Sequence, residues 1–378
     1  MAVAVISEFN PFHNGHKYLV EQAKMLTNEP VIAVMSGSFT QRGEVAVTDK
    51  FSRAKTALEN GVDLVVELPV VYAVASAQRF ADNGVRIAKA FDCVNYLSFG
   101  CENDNIIELK AAADALGNAE VREIISVQMK QGCYYPRAVE AAIREVFGNK
   151  TAEIIRTPNN ILAVEYLRSL GNCKIKPLPI MRKGTEHDSD KVCGELASAS
   201  HIRSLLRSGE SAYKYLPSVP ENITYTENLE RILLYKLRMM NAEDFAKLPD
   251  VSEGLENRIS DAVRNYNSVE EIISAVKTKR YTHARLRRII CCALLDITEK
   301  LQQTPVNYAR ILGFNKAGAE LLKTCTIEVV TSAAKSVKKY PEIEALLIKD
   351  ILAADIAALS YNKINSAGSD YTAQIIKM

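Results

Sequence analysis

Three short apolar runs near the start of the chain, rich in β-branched residues, most constrain how it can fold. They occupy residues 3–6, 31–35 and 64–67, and segments with helical periodicity at 17–26 and 50–59 separate them. A fourth run follows at 94–99. Strands that are apolar throughout and alternate with helices indicate a parallel sheet covered by helices on both faces. Ligands of such sheets bind beyond the carboxyl ends of the strands. The sequence places Ser7, Glu8, Ser36, Gly37, Glu67 and Gly100 there.

The rest of the chain is mainly helical in pattern. Residues 105–150 predict helices, 157–170 predict a helix that starts around Pro158, and 174–182 predict a last, irregular strand. Another helix starts with Ser198 or Ser200 as its cap. Two prolines within 215–222 interrupt the pattern, and 378 residues exceed the usual size of one hydrophobic core. We therefore expect an α/β, Rossmann-like parallel-sheet domain over 1–215, followed by a mainly α-helical domain over 216–378.

Composition excludes some classes of protein and leaves others open. Lys and Arg number 47 against 45 Asp and Glu, a net charge of +2, so any nucleic-acid-binding surface must be local. The sequence shows neither a secretion signal nor an apolar run long enough to span a membrane, which predicts a cytoplasmic protein. Eight cysteines without a CxxC motif predict reduced thiols rather than disulfides or a zinc site.

The stretch "EFNPFHNGH", residues 8–16, contains two of the five histidines directly after the first predicted strand. If a helix begins near Asn14 and Gly15, its unpaired backbone N–H groups face the crevice and favour an anion. Gly15 allows that anion to approach closely. His13 and His16 can then donate ring N–H groups to phosphate oxygens. The alternative, that they only cap the helix, suits one histidine better than two around a glycine.

Two further stretches carry cations. Residues 36–55 form a long connection that we expect to bring Gln41, Arg42, Lys50 and Arg53 towards the crevice, with a solvated loop as the alternative. Residues 272–295 contain no acid. Their cations are Lys277, Lys279, Arg280, Arg285, Arg287 and Arg288. An apolar stripe from Leu286 to Leu294 leaves Arg285 and Arg288 on the opposite side, where they suit a polyanion backbone or simply solvent. Tyr281 is a candidate to stack on an unpaired base.

These motifs resemble known families. "NPFHNGH" is similar to the HxGH signature of the nucleotidyltransferase α/β-phosphodiesterase superfamily, and "SASHIRS" at 198–204 resembles its second signature. The stretches "VMSGSFTQRGEVAV", "GVDLVVELPVVYAV", "LSFGCEND", "TPNNIL" and "KTKRYTHARLRR" extend the likeness to about residue 290. Together they resemble the bacterial tRNA(Met) cytidine acetate ligase family, with Phe9 where the familiar motif has Tyr. The resemblance implies that residues 1–215 form a nucleotidyltransferase-like ATP-binding domain and that 216–378 bind tRNA.

That family is understood to activate acetate with ATP as acetyl-adenylate and then to acetylate N4 of the wobble cytidine of elongator tRNA(Met). The resemblance therefore implies ATP, acetate and this tRNA as ligands, with Mg²⁺ expected beside ATP. Candidate metal ligands are Asp63, Glu8 and Glu102, which the sequence does not rank. Two alternatives remain, a small-molecule adenylyltransferase and a nucleotide-sensing RNA-binding protein without turnover.

The resemblance also implies site residues. His13 and His16 are the implied catalytic residues at the phosphates. For Arg203, which we expect in the first turn of a helix, the helix dipole disfavours a cation unless an anion is near. The implied nucleotide-binding residues are Ile6, Ser7, Glu8, Phe9, Asn10, Pro11, Phe12, Asn14, Gly15, Lys17, Tyr18, Leu19, Gly100, Asn159, Arg182 and Arg203.

Overall fold

A computed structural model describes residues 1–183 and 194–378. The described part contains eight strands, which are β1 Ala2–Ser7, β2 Val31–Ser36, β3 Leu64–Leu68, β4 Val94–Cys101, β5 Lys176–Met181, β6 Tyr308–Phe314, β7 Glu328–Val330 and β8 Ile376–Lys377.

The helices before β5 are α1 Asn14–Thr27, α2 Lys50–Glu59, α3 Val70–Ala73, α4 Ala77–Lys89, α5 Ile106–Gly117, α6 Ala119–Lys130, α7 Tyr135–Phe147, α8 Asn149–Ile154 and α9 Pro158–Leu170. Those between β5 and β6 are α10 Ala199–Ser208, α11 Glu230–Met239, α12 Ala242–Ala246, α13 Leu255–Asn265, α14 Val269–Val276, α15 His283–Leu294 and α16 Glu299–Gln303. Those after β6 are α17 Lys316–Leu322, α18 Ala333–Lys339, α19 Pro341–Ala358 and α20 Ser369–Thr372.

All strands pair in one sheet, with the order β5-β4-β1-β2-β3-β6-β7 and β8 beside β6. The pairs among β1–β5 are parallel, which confirms the predicted parallel sheet. Alternate residues of β1 serve two cores: Ala2 and Ala4 join one cluster, whereas Val3 and Val5 join the other. This division is what a strand covered on both faces requires.

The prediction that β5 is the last strand was wrong. After the helices that end at Gln303, the chain returns to the sheet, and β6 pairs antiparallel with β3. At Gly313 of β6, a Cβ would lie 2.7 Å from the Leu58 side chain and 2.9 Å from Cβ of Ile376. Glycine is therefore required at this position, because α2 packs closely on β6 and β8 lies beside β6 in the sheet.

The cysteine prediction agrees with the described residues. The seven cysteines in that part of the chain are free thiols, and Cys291 and Cys292 are buried. Cys193, also predicted to be reduced, lies outside the described residues. Within residues 1–183 and 194–378, no helix is both long and apolar enough to cross a membrane.

Candidate active site

The connection between β1 and α1 forms one wall of the crevice. His13 is the N-cap of α1, and its Nδ1 accepts a hydrogen bond from the Gly15 backbone N–H at 3.0 Å. A Cβ on Gly15 would lie 2.8 Å from Cε1 of His13. Gly15 is therefore needed for the cap itself, besides the anion approach that the sequence suggested. The bond to Nδ1 leaves the proton of a neutral His13 ring on Nε2.

The second histidine completes the cap. Nδ1 of His16 accepts from the His13 backbone N–H at 3.3 Å, so the two residues form a reciprocal capping box. Their ring centroids are 3.8 Å apart with an interplanar angle of 31°. The rings of Phe9 and Phe12 lie 5.0 and 5.7 Å from that of His16. The capping role that the sequence offered as an alternative is thus present, and it holds both imidazoles in a set orientation.

Both imidazoles are neutral at physiological pH. Burial lowers the pKa of His13 to about 3, with smaller contributions from the positive charges of Arg182 and Arg203. Burial also lowers the pKa of His16 well below its usual range, followed by the effects of His13 and Arg182, against a hydrogen bond with the Pro11 carbonyl. These groups can therefore act as neutral hydrogen-bond donors and are unsuited to carry a proton at neutral pH.

Arg203 approaches the same wall from α10. It is buried, its Nη1 donates to the Asn10 carbonyl at 2.9 Å, and its Nη2 donates to Oγ of Ser200 at 3.2 Å. Ser198 is the N-cap of α10, which puts Arg203 in the second turn. The expectation that Arg203 lies in the first turn was therefore wrong. The argument that its charge needs a nearby anion no longer applies, since the helix dipole acts only within the first turn. Burial and the nearby charge of Arg42 both lower the pKa of Arg203.

A second cluster lies at the ends of β4 and β5. Nη1 of Arg182 donates to Oδ1 of Asn159 at 3.2 Å, and Nδ2 of Asn159 donates to Oε1 of Glu102 at 2.5 Å. A Cβ on Gly100 would lie 3.4 Å from Cγ of Arg182. The structure therefore brings together Gly100, Asn159 and Arg182, three of the implied nucleotide-binding residues. The charge of Arg182 contributes to the lowered pKa of both histidines, which indicates that the two clusters are close in space.

Sequence reasoning missed Asn160, which joins β4 to α9. Its Oδ1 accepts from the backbone N–H groups of Glu102 and Asn103, at 2.9 and 3.2 Å. Oε2 of Glu102 in turn accepts from the backbone N–H of Asn160 at 3.1 Å. The adjacent asparagines after Pro158 were a signal, but only Asn159 was named as a site residue.

The other predicted residues of this wall are structural neighbours of the site. Nδ2 of Asn14 donates to the Glu195 and Lys214 carbonyls at 3.1 and 3.0 Å, which ties α1 to the segment that carries the second signature. The Tyr18 ring lies 4.5 Å from Nζ of Lys183. The remaining residues line or support the connection: Ile6 is buried beside Gly84, Oγ of Ser7 accepts from the Phe9 N–H, Pro11 follows a cis peptide bond, and Lys17 and Leu19 are partly exposed on α1.

Of the three cations expected at the crevice from residues 36–55, Lys50 and Arg53 do not reach it, whereas Arg42 is exposed and its charge acts on Arg203. Arg53 is 1% exposed, and its guanidinium donates to the carbonyls of Thr48, Ser36, Glu8 and Gly37. Lys50 is 2% exposed and lies 2.8 Å from Glu67 and 2.7 Å from Asp370. Arg310 of β6 contacts the same two acids at 3.2 and 2.8 Å. The prediction for Lys50 and Arg53 was wrong because their charges are satisfied inside the protein, and Glu67, which does lie at the carboxyl end of β3 as expected, is one of the acids that satisfies Lys50.

The same connection packs directly against α15, a contact that the sequence did not reveal. Gly43 has a φ of +72°, and a Cβ there would lie 2.6 Å from the Arg287 carbonyl group. Beside it, Oε1 of Glu44 lies 2.6 Å from Nη1 of Arg287. Oε1 of Glu8 accepts from the Gln41 backbone N–H at 2.7 Å. This loop therefore connects the crevice wall that carries His13 and His16 to the cation-rich residues 272–295, which we call the basic stretch.

The basic stretch is more heavily paired than its sequence indicates. Arg280 forms an ion pair with Glu253, and Arg285 donates to the Asp250 carbonyl. Arg288 lies 3.6 Å from the Asp250 carboxylate. Tyr281 is 5% exposed, and its hydroxyl donates to the Ser252 carbonyl at 3.2 Å. The prediction that Tyr281 stacks on a base is wrong for this conformation because its ring is buried.

The acids proposed as metal ligands do not fit a metal site. Asp63 precedes β3, at the opposite edge of the sheet from the crevice, and pairs with Lys24 at 2.7 Å. Both oxygens of Glu102 accept hydrogen bonds from the start of α9. Oε1 of Glu8 already accepts from the Gln41 backbone N–H, and burial raises the pKa of its carboxyl group. In the described ranges, no three His, Cys, Asp or Glu side chains cluster suitably for a metal ion.

Comparison with known proteins supports the relationship that the motifs suggested. Residues 1–371 match the HIGH Nucleotidyl Transferase family. A tRNA(Met) cytidine acetate ligase of Thermoanaerobacter sp. (strain X514) is 38% identical and covers 100% of this chain and 99% of its own. One from Clostridium kluyveri is 36% identical over 91% of this chain and 93% of its own.

The fold comparison agrees. The crystal structure of Thermotoga maritima TmcAL bound with alpha-thio ATP is 30% identical, with a TM-score of 0.90, and covers 100% of this chain and 99% of that one. The apo form of the same protein gives a TM-score of 0.89. This chain belongs to the HIGH nucleotidyl transferase family and, within it, to the tRNA(Met) cytidine acetate ligases.

Proposed function

We infer that this protein activates acetate with ATP and transfers the acetyl group to N4 of the wobble cytidine of elongator tRNA(Met). One observation carries the inference: two neutral histidines, His13 buried and His16 partly exposed, cap the start of α1, and Arg182 and Arg203 lie near them. A helix N-terminus with neutral donors and two arginines is suited to hold a triphosphate while charge moves along it.

In the first step, an acetate oxygen attacks the α-phosphorus of ATP, and the bond to pyrophosphate breaks. The His13 Nε2–H donates to a phosphate oxygen, and the His16 ring N–H exchanges the Pro11 carbonyl for a second phosphate oxygen. Arg203 and Arg182 offset the charge that develops on the leaving pyrophosphate. Gly100 and Asn159 face the nucleoside. The described acids do not build a site for Mg²⁺, so no step is assigned to a protein-held metal.

In the second step, the cytidine amine attacks the acetyl carbon, the anhydride bond breaks, and AMP leaves. Residues 216–378 bring the tRNA to the crevice. The packing of Gly43 and Glu44 against α15 supports this assignment, because it holds a helix of that region close to the crevice. A cytoplasmic location agrees with such a substrate.

The test is acetate-dependent exchange of labelled pyrophosphate into ATP, followed by transfer of labelled acetate to tRNA. His16→Ala should reduce exchange by about 100-fold, the scale of losing one preorganised donor. His16→Asn keeps a hydrogen-bonding cap residue and checks that the loss is not one of folding.

His283→Ala is the matched control, because this histidine lies on α15 and its side chain is 35% exposed. It should exchange pyrophosphate like the unmodified protein. Exchange that needs a nucleotide monophosphate instead of acetate would show a small-molecule adenylyltransferase. No exchange with any acceptor would show a nucleotide-sensing protein.

A further inference from the structure

A groove separate from the crevice lies between α6 and the turn that precedes α15. Its volume is about 390 Å³. The residues that line it are Arg122, Ile125, Ser126, Met129, Lys130, Glu253 and Arg280. We call this set the basic groove.

The basic groove carries uncompensated positive charge. Its one acid, Glu253, is paired with Arg280. Arg122 donates to the uncharged Gly117 carbonyl, and Lys130 is exposed and forms no ion pair within the described ranges. Two positive charges therefore remain in the lining. Lys277 and Lys279 are exposed in the turn that leads to Arg280.

The two walls of the basic groove, α6 and the turn before α15, are joined to each other and to the active site. Nη2 of Arg280 donates to the Met129 carbonyl at 3.1 Å, which links α6 to the turn before α15. From His283, the first residue of α15, to Arg287 is about 6 Å along the helix axis. Arg287 contacts the crevice loop through Glu44. The basic groove therefore opens next to the helix that borders the crevice.

We propose that the basic groove binds the phosphodiester backbone of the tRNA substrate, with Arg122 and Lys130 as phosphate contacts. This proposal rests on the proposed function. The two arginines that the sequence favoured, Arg285 and Arg288, already interact with oxygens of Asp250 and would have to exchange them for phosphates. Arg122 and Lys130 give up no carboxylate partner when they meet RNA, so binding there costs less. The apolar floor of Ile125 and Met129 suits a ribose or a splayed base better than an acidic peptide.

The test compares two double variants of the full-length protein. Arg122→Ala with Lys130→Ala removes the two groove charges. Lys110→Ala with Arg137→Ala removes two exposed charges from the same helical region outside the groove. Acetate-dependent pyrophosphate exchange is measured for each, together with binding of elongator tRNA(Met) as a function of salt and acetyl transfer to it.

The groove variant should keep full pyrophosphate exchange and lose about 1.5 units from the slope of log affinity against log salt, with a matching fall in transfer at low tRNA. The control pair should leave the slope unchanged. An unchanged slope in the groove variant would overturn the proposal. Equal losses of slope in the groove variant and the control pair would also overturn it, because they would mean that the overall positive charge of the surface attracts the tRNA. If the unmodified protein fails to exchange pyrophosphate with acetate, the proposed function fails instead.

An acidic peptide remains a measurable alternative occupant. Poly-glutamate should not compete with tRNA for the unmodified protein at equal charge concentration. Competition that disappears in the groove variant would assign the groove to a protein partner and would also overturn the proposal.

Discussion

Two neighbouring strand-helix connections at the carboxyl edge of the sheet use similar residue types in opposite ways. The β1–α1 connection keeps His13 and His16 neutral and leaves them beside Arg182 and Arg203. After the β2–α2 connection, the start of α2 turns Lys50 and Arg53 inward, where they are satisfied by buried acids and carbonyls. The comparison shows that a cation in the first turn after a strand does not by itself mark a ligand site, because Lys50 is paired with two buried acids.

The strongest test of this contrast is Lys50→Met. The change leaves Glu67 and Asp370 buried with Arg310 as their shared cation, and breaking such a buried group costs about 3–5 kcal/mol of unfolding free energy. Denaturant unfolding measures it. Lys55→Met on the same helix is the control, because Lys55 is 63% exposed and lies 3.9 Å from Glu59; it should change stability by less than about 0.5 kcal/mol. Equal effects would mean that Lys50 is not a structural cation.

A smaller effect should come from Gly43→Ala, which tests the contact between the β2–α2 connection and α15. The left-handed backbone costs a side chain about 1–2 kcal/mol, and the added Cβ also meets the Arg287 backbone. Gly254→Ala is the matched control, because its φ is +80° and a Cβ there meets nothing within 4 Å. Gly43→Ala should therefore destabilise more and slow acetyl transfer more than pyrophosphate exchange. Equal losses of stability would contradict the close packing.

The smallest expected effect is a pH dependence of the unfolding free energy that comes from His13 in the β1–α1 connection. The pKa of His13 is about 3 in the folded protein against 6.5 normally, so the unfolded chain binds more protons between these values. Stability should therefore fall as the pH falls from 6.5 towards 3, by about 1 kcal/mol between pH 6.5 and 5.5. His13→Asn keeps a capping side chain and should remove that part of the pH dependence. A parallel pH dependence in both proteins would show that His13 is not buried in its neutral form.

The local features of the first connection were predictable from the sequence. The apolar runs predicted β1–β4, and Asn14 with Gly15 marked the start of α1, because both signals arise from residues close together in the chain. Gly100, Asn159 and Arg182 were named through motif resemblance, and the structure brings them together. The return of the chain to the sheet was not predicted, because β6 follows a long helical region and pairs with β3, which is far away in the chain.

The sequence by itself determined the parallel sheet, the helix that begins at paired histidines, and the resemblance that implied nucleotide chemistry. Only the tertiary structure decided which charges are available to a ligand. Asp370 and Arg310 are far from Lys50 in the chain, yet they surround it, and Glu44 pairs with Arg287 across the same kind of separation. Charge compensation depends on distances in space of a few ångströms, and a linear sequence does not contain those distances.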